Sequence, residues 1–224
     1  MALIAPSLLA GDFARLGEAL HLIKEVGASM VHVDVMDGHF VPDISVGQPV
    51  VKSLRKATDL LLDVHLLVER PERYVPEFLK FGADRIAVHA ESTPNLHKVL
   101  RVIRSGGAKA GLALNPSTAV ETVSDAMEEI DYLLILSADL GFADSPFLPR
   151  TLSKVQSASA MRSERRLDFA IQVEGSIGLE QVTALCHAGA DILVAGSDIF
   201  QEDPKSRLAE MMRQAAMARQ VSRV

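Results

Sequence analysis

Short apolar runs and longer amphipathic stretches alternate along the 224 residues. The apolar runs fall near residues 3–8, 30–36, 60–67, 85–90, 110–114, 132–138, 168–174 and 192–196. Their length and their Val, Ile and Leu content suit strands buried on both faces, hence a parallel sheet. Between them the spacing turns helical. Phe13, Leu16, Leu20 and Ile23 share one helix face, as do Val120, Val123, Met127 and Ile130. Leu179, Val182 and Cys186 form a third set; Leu208, Met211, Met212 and Ala215 form a fourth, opened by Asp203-Pro204 at the N-cap and first helical positions. A Gly-Ala step precedes four of the apolar runs, at Gly27-Ala28, Gly82-Ala83, Gly107-Ala108 and Gly189-Ala190. A glycine just past a helix closes its last turn with positive φ, so these steps mark helix-to-strand joints.

Eight such units within this length, without a Gly-x-Gly-x-x-Gly turn after the first strand, predict one closed barrel rather than an open doubly wound sheet. The fold class is α/β, a single (β/α)8 TIM barrel spanning residues 1–224 as one domain. Ser157 to Arg166 is polar and helix-prone, an exposed helix end. The composition is that of an ordinary globular chain, with 48% hydrophobic and 23% charged residues. A net charge of −6 leaves no basic patch for nucleic acid, and no run reaches membrane-spanning length. With Cys186 as the one cysteine there is no intrachain disulfide, and Met1 to Pro6 lacks the charged region of a signal peptide. The cytoplasm is the expected location.

Strand phase brings in chemistry. Alternate residues of a strand share a face, so His32, Asp34 and Met36 point opposite to Val31, Val33 and Val35. The valines belong against the outer helices, which sends an imidazole and a carboxylate into the barrel. Asp63 and His65 repeat this late in the third strand, and Gln172 and Glu174 do so in the seventh. A single inward His or Asp is most often a hydrogen-bonded core group. Several at the ends of three strands, without a basic partner nearby in sequence, are costly to bury unless they bind something. His32, Asp34, His65 and Glu174 make a donor set suited to one divalent ion, Zn, Fe, Mn or Co.

An acidic chain that takes a phosphorylated ligand needs a local device for it. Gly141-Phe142, Gly175-Ser176 and Gly196-Ser197 follow the sixth, seventh and eighth strands. Small residues let backbone N–H groups approach an anion, and the loops after strands 7 and 8 are the usual phosphate site of such barrels.

The run Val31-His32-Val33-Asp34-Val35-Met36-Asp37-Gly38-His39-Phe40-Val41-Pro42 closely resembles the signature of the ribulose-phosphate 3-epimerase family and its hexulose-phosphate relatives. Pro6-Ser7-Leu8-Leu9, Asp63-Val64-His65-Leu66, Gly111 to Pro116, Gly141-Phe142 and Ala188 to Ser197 extend the likeness over nearly the whole chain. The resemblance implies a ribulose-phosphate-binding (β/α)8 barrel, a divalent metal and inversion at C3 of a ketose phosphate. It implies Asp34 and Glu174 as the two proton-transfer groups. The implied substrate-binding set is Ser7, Met36, His65, Gly141, Phe142, Ala143, Gly175, Ser176, Gly196 and Ser197. Ser7 would hydrogen-bond substrate, and Met36 would form part of an apolar lid. Homo-oligomerisation is a further expectation from the resemblance.

The chain departs from the family pattern in places. Strand 7 ends Val173-Glu174-Gly175-Ser176 where Val-Asp-Gly-Gly is usual. Leu67 and Leu136 stand for methionines, Asp43 for an asparagine, and the sixth loop reads Asp139-Leu140-Gly141-Phe142-Ala143-Asp144. Ribulose 5-phosphate and xylulose 5-phosphate are the default pair. The departures keep open another ketose phosphate, such as allulose 6-phosphate, and a sugar-phosphate-binding barrel with little turnover. His21, His97 and His187 read as solvent-facing, His89 as a group behind the site, and Asp37 and His39 as loop supports.

Overall fold

The computed structural model describes residues 2–139, 141 and 145–221. Its strands are β1 (Leu3–Pro6), β2 (Met30–Met36), β3 (Leu61–Leu67), β4 (Arg85–His89), β5 (Lys109–Leu114), β6 (Tyr132–Leu136), β7 (Ala170–Glu174) and β8 (Ile192–Ala195). They pair in parallel in the order β1-β8-β7-β6-β5-β4-β3-β2. A parallel bridge between Ser7 and His32 brings β1 back to β2, so the sheet nearly closes into a (β/α)8 barrel. Around it lie α1 (Leu16–Val26), α2 (Gln48–Ala57), α3 (Val75–Lys80), α4 (Leu96–Ser105), α5 (Thr151–Glu164), α6 (Leu179–Ala188) and α7 (Pro204–Val221).

The glycines at the four predicted joints all take positive φ, between 87° and 114°. Gly27 is representative; its N–H closes the last turn of α1 on the carbonyls of Ile23 and Lys24. Asp203 caps α7 as expected, accepting from the Ser206 N–H at 3.2 Å. Two helical readings need correction. The connection from β5 to β6 is a 3₁₀ segment, Val120–Glu128, in which Val120, Val123 and Ala126 are buried. A three-residue repeat fits 3₁₀ winding better than α winding, and the spacing Val120-Val123 is common to both. Phe13 sits in a 3₁₀ turn ahead of α1 and is 46% exposed. The Asp12 carboxylate accepts from the Ala14 N–H and starts that separate turn.

The core has two parts. The main one lies between strands and helices and holds Val31, Val33 and Val35, with Leu62, Val64, Val173 and Leu193 from neighbouring strands. The barrel interior carries only small apolar clusters, one of them Ala87, Ala113, Tyr132 and Leu134. Polar side chains fill much of the rest, with His32, Asp63, His65, His89 and Gln172 all fully buried. Tyr132 needs room for its ring among them, and Gly111 on the neighbouring strand provides it. A Cβ at Gly111 would lie 2.2 Å from Tyr132 Cζ. Gly111→Ala is therefore expected to destabilise the fold by about 1–3 kcal/mol through overpacking. Chemical denaturation measures this, and an unchanged midpoint would contradict the role given to Gly111.

Candidate metal and active site

β2, β3 and β7 each deliver inward side chains near their C-terminal ends. The β2–β3 register sets His32 beside Asp63 and Asp34 beside His65. Glu174 ends β7 two strands away from β1, and its carboxylate reaches the same point. His32 Nε2 lies 3.2 Å from both Asp34 Oδ1 and Glu174 Oε2. His65 Nδ1 lies 3.3 Å from Asp34 Oδ1 and 3.0 Å from Glu174 Oε2. All four residues are buried, and their donor atoms lie within 4.8 Å of one another.

Each imidazole is backed from behind. His32 Nδ1 contacts Asp63 Oδ2 at 2.7 Å, and a carboxylate only accepts, so Nδ1 carries a proton and, once the ring is neutral, the Nε2 lone pair faces the cluster. Asp63 in turn accepts from Arg85 Nε at 2.9 Å, Tyr132 Oη at 3.0 Å and Gln172 Nε2 at 2.7 Å. Arg85 also donates to Gln172 Oε1 at 2.7 Å and lies 3.8 Å above the Tyr132 ring. On the other side His65 Nε2 meets His89 Nε2 at 2.9 Å, and His89 Nδ1 meets Glu91 Oε2 at 3.1 Å. Arg85, Tyr132 and Glu91 are the partners that sequence reasoning missed. Arg85 opens a strand beside a Gly-Ala joint, where a charged residue looks like a solvated strand end.

The electrostatics follow from this packing. Burial pulls the His65 imidazole down, but the Glu174 and Asp34 carboxylates outweigh it and push it up to about 9. His32 is treated alike, with burial opposed by Glu174 and Asp34, and ends well above the usual imidazole range. Burial would raise Asp34, yet the two imidazoles hold it well below the carboxylate range. Burial and the neighbouring His65 lower His89 to about 4, so that ring is neutral. Without a cation at the centre, His32 Nε2 and Glu174 Oε2 are buried with ion-pair contacts of 3.0–3.2 Å but no well-aligned hydrogen bond among the described residues. Buried groups so incompletely satisfied are costly. Separations of 3.0–3.3 Å between donors fit the edges of a ligand polyhedron with bonds of roughly 2.0–2.2 Å. The four residues fit a divalent ion.

A pocket of about 290 Å³ opens over the cluster, and Asp34 and Glu174 line it with Ser7, Gly175, Ser176, Gly196 and Ser197. Ser7 Oγ donates to Asp34 Oδ2 at 2.7 Å. Met36 packs with Val41, Leu67 and Phe40 in a separate apolar cap. Gly141 packs on that same loop, since a Cβ there would lie 2.8 Å from Val41 Cβ. His65 is enclosed behind the carboxylates rather than lining the pocket. The Ser176 hydroxyl turns away, donating to the Ser145 carbonyl at 2.5 Å. Asp139 lines a different cleft, with Phe40 and Asn115. Phe142, Ala143 and Asp144 lie outside the described residues. Asp37 and His39 support the loop, Asp37 accepting from the N–H groups of His39, Phe40 and Glu69. His21, His97 and His187 are exposed.

The backbone that carries Glu174 is clamped. The Ser137 N–H donates to the Glu174 carbonyl at 2.6 Å, and the Ser137 hydroxyl lies within donating distance of the same carbonyl and that of Gly175. Gly175, at φ 115°, passes so close to Ala138 that a Cβ would sit 2.7 Å from its backbone nitrogen.

The profile of the ribulose-phosphate 3 epimerase family matches residues 3–200. The chain belongs to this family. It is 41% identical to the ribulose-phosphate 3-epimerase of Bacillus subtilis over 93% of this chain and 97% of that protein. The Synechocystis ribulose-phosphate 3-epimerase is 44% identical over 88% of this chain and 86% of its own length. Its relatives are isomerases, and so is the epimerase described here. Among solved structures, thiamine phosphate pyrophosphorylase of Pyrococcus furiosus superposes with a TM-score of 0.67 at 16% identity, covering 97% of this chain and 96% of that one. A mutant tryptophan synthase α-subunit from Pyrococcus furiosus gives 0.67 at 15% identity, covering 96% and 98%. These two likenesses extend to the fold alone.

The protonated imidazoles of the ion-free epimerase must lose their protons before they can ligate. Zn²⁺ titrated into metal-free protein is therefore expected to release protons, and its affinity to climb from about pH 7 to about 9. Calorimetry in buffers of different ionisation enthalpy counts the protons. An affinity flat across that range would contradict the assignment of His32 and His65 as ligands.

Proposed function

We propose that the protein interconverts ribulose 5-phosphate and xylulose 5-phosphate by inverting C3, with one divalent ion held by His32, Asp34, His65 and Glu174. The observation that carries this reading is the pair of carboxylates, Asp34 and Glu174, facing one pocket from two strands with β1 and β8 between them. Inversion requires a proton removed from one face of C3 and another returned to the opposite face, so two acid–base groups must flank the carbon. Asp34 takes the C3 proton in one direction and Glu174 delivers one; in the other direction the roles exchange. Asp34 Oδ2 and Glu174 Oε1, the oxygens turned away from the imidazoles, carry these protons. Ser7 steadies Asp34 Oδ2 with its 2.7 Å hydrogen bond and returns that oxygen to the same place after each transfer. An ion held by these four residues would supply Lewis acidity toward the charge that builds on the carbonyl oxygen.

The phosphate is assigned to the loops after β7 and β8, with Gly175, Ser176, Gly196 and Ser197 presenting backbone rather than side chains. Gly196 packs tightly on the turn after β1, where a Cβ would lie 3.1 Å from Ala10 Cβ. The acid beside it is neutralised, because Arg207 grips the Asp198 carboxylate with bonds of 2.9 and 2.6 Å. The cap of Met36, Phe40, Val41 and Leu67 supplies the dry side of the mouth. Such a protein acts in the cytoplasm on a free ketose phosphate. No helix among the described residues is long and apolar enough to cross a membrane.

Two measurements check the reading. Across a panel of ketose phosphates that includes allulose 6-phosphate, the metal-loaded enzyme is expected to turn over the pentulose 5-phosphates fastest; a preference for another member would overturn the substrate assignment. Asp34→Asn and Glu174→Gln, each loaded with metal, are expected to lose epimerisation by roughly 10²–10⁴-fold. In deuterated water each variant should still wash label into C3 of one epimer, and the two variants into opposite epimers. Exchange into both epimers by either variant would contradict the division of labour.

A further inference from the structure

We propose that Glu91 is a positioning residue that sets the ring tautomer of His65, with His89 as the relay. The inference rests on reading His32, Asp34, His65 and Glu174 as a metal site. It concerns two residues behind that site, at the end of β4 and in the turn that follows. His65 directs Nδ1 at the cluster, 3.0 Å from Glu174 Oε2, so a ligating His65 keeps its lone pair there and carries its proton on Nε2. That Nε2 faces His89 Nε2 at 2.9 Å. Two ring nitrogens at this distance share one proton, one donating and the other accepting. His89 must then leave Nε2 bare and be protonated on Nδ1.

Glu91 makes that choice. Its Oε2 lies 3.1 Å from His89 Nδ1, and an ionised carboxylate can only accept. The carboxylate is itself fixed, because its Oε1 accepts from the Asn115 N–H at 2.9 Å and from the Thr118 hydroxyl. His89 is fully buried and held between two rings, Phe40 at 4.7 Å and His65 at 5.0 Å between centroids, so solvent offers no competing partner. Every hydrogen in the chain from the β5 loop to His65 thus has one arrangement, and that arrangement bares His65 Nδ1. Ligand orientation by partners behind the imidazole is a general feature of metal sites; here it passes through two rings.

The decisive variant is Glu91→Gln, nearly the same in shape. The Asn115 N–H can only donate, so it claims the amide oxygen and leaves the amide NH2 against His89 Nδ1. The chain then reverses, ending with a proton on His65 Nδ1. Glu91→Ala removes the bias without imposing the opposite one. Zn²⁺ affinity, measured by chelator competition on the folded variants, is expected to fall by about 10–100-fold in Glu91→Gln and by less in Glu91→Ala. A merely structural role for Glu91 gives the opposite order, because Gln keeps the bonds to Asn115 and Thr118 and Ala loses both. Ring-nitrogen chemical shifts of the Zn²⁺-loaded wild-type protein provide a reading that needs no variant, with His89 expected to carry its proton on Nδ1. Protonation on Nε2, equal affinity in Glu91→Gln and wild type, or greater loss in Glu91→Ala would each overturn the proposal. A wild-type protein that binds no Zn²⁺ would instead overturn the metal site beneath it.

Discussion

Two imidazoles and two carboxylates, all buried, meet at one point near the end of three strands, and among the described residues His32 Nε2 and Glu174 Oε2 make ion-pair contacts but no well-aligned hydrogen bond. Burial of this kind is unfavourable in isolation, since charged groups leave water and some of their bonding capacity goes unused. A divalent cation would relieve all of it at once, displacing the imidazole protons and satisfying the carboxylates. The rest of the barrel is arranged around that demand. Its main hydrophobic core lies outside the strands, against the helices, and its interior is given over to polar support.

That support differs on the two sides. Behind His32, Asp63 is saturated by Arg85, Tyr132 and Gln172, an ionic network in which one cation balances one carboxylate. The Arg85–Asp63 attraction offsets the desolvation of both groups, and the Arg85 guanidinium also covers the Tyr132 ring. Behind His65 the Glu91 carboxylate is held by a backbone N–H and a hydroxyl, and among the described residues no cation is hydrogen-bonded to it. A neutral ring, His89, carries the influence of Glu91 inward. The first arrangement supplies rigidity and the second a choice of tautomer, and together they would prepare both imidazoles to face one ion.

The period-two phase of β2, β3 and β7 was legible in the sequence, and it carried most of the site. His32, Asp34, His65 and Glu174 could be oriented from their neighbours because the alternate residues Val31, Val33, Val64 and Val173 so plainly belong to the outer core. Contacts that depend on register between strands were not legible. Arg85 reaches Asp63 and Gln172, 22 and 87 residues away, only because the barrel staggers β3, β4 and β7 to one level. The 3₁₀ winding of Val120–Glu128 was hidden for a different reason, since apolar residues three apart suit both helical forms. Glycines at the helix-to-strand joints were readable because one residue type carries the conformation. Met36, given by resemblance to an apolar lid, packs in a cap with Phe40, Val41 and Leu67, and Gly141 abuts Val41.

The claim that organises all of this is that four side chains share one ion. Anomalous diffraction from crystals grown with Mn²⁺ or Zn²⁺ tests it most directly. One anomalous peak per chain, bounded by His32 Nε2, Asp34 Oδ1, His65 Nδ1 and Glu174 Oε2, is the predicted result. A fully loaded crystal with its peak elsewhere, or with Glu174 turned away from the ion, would contradict it.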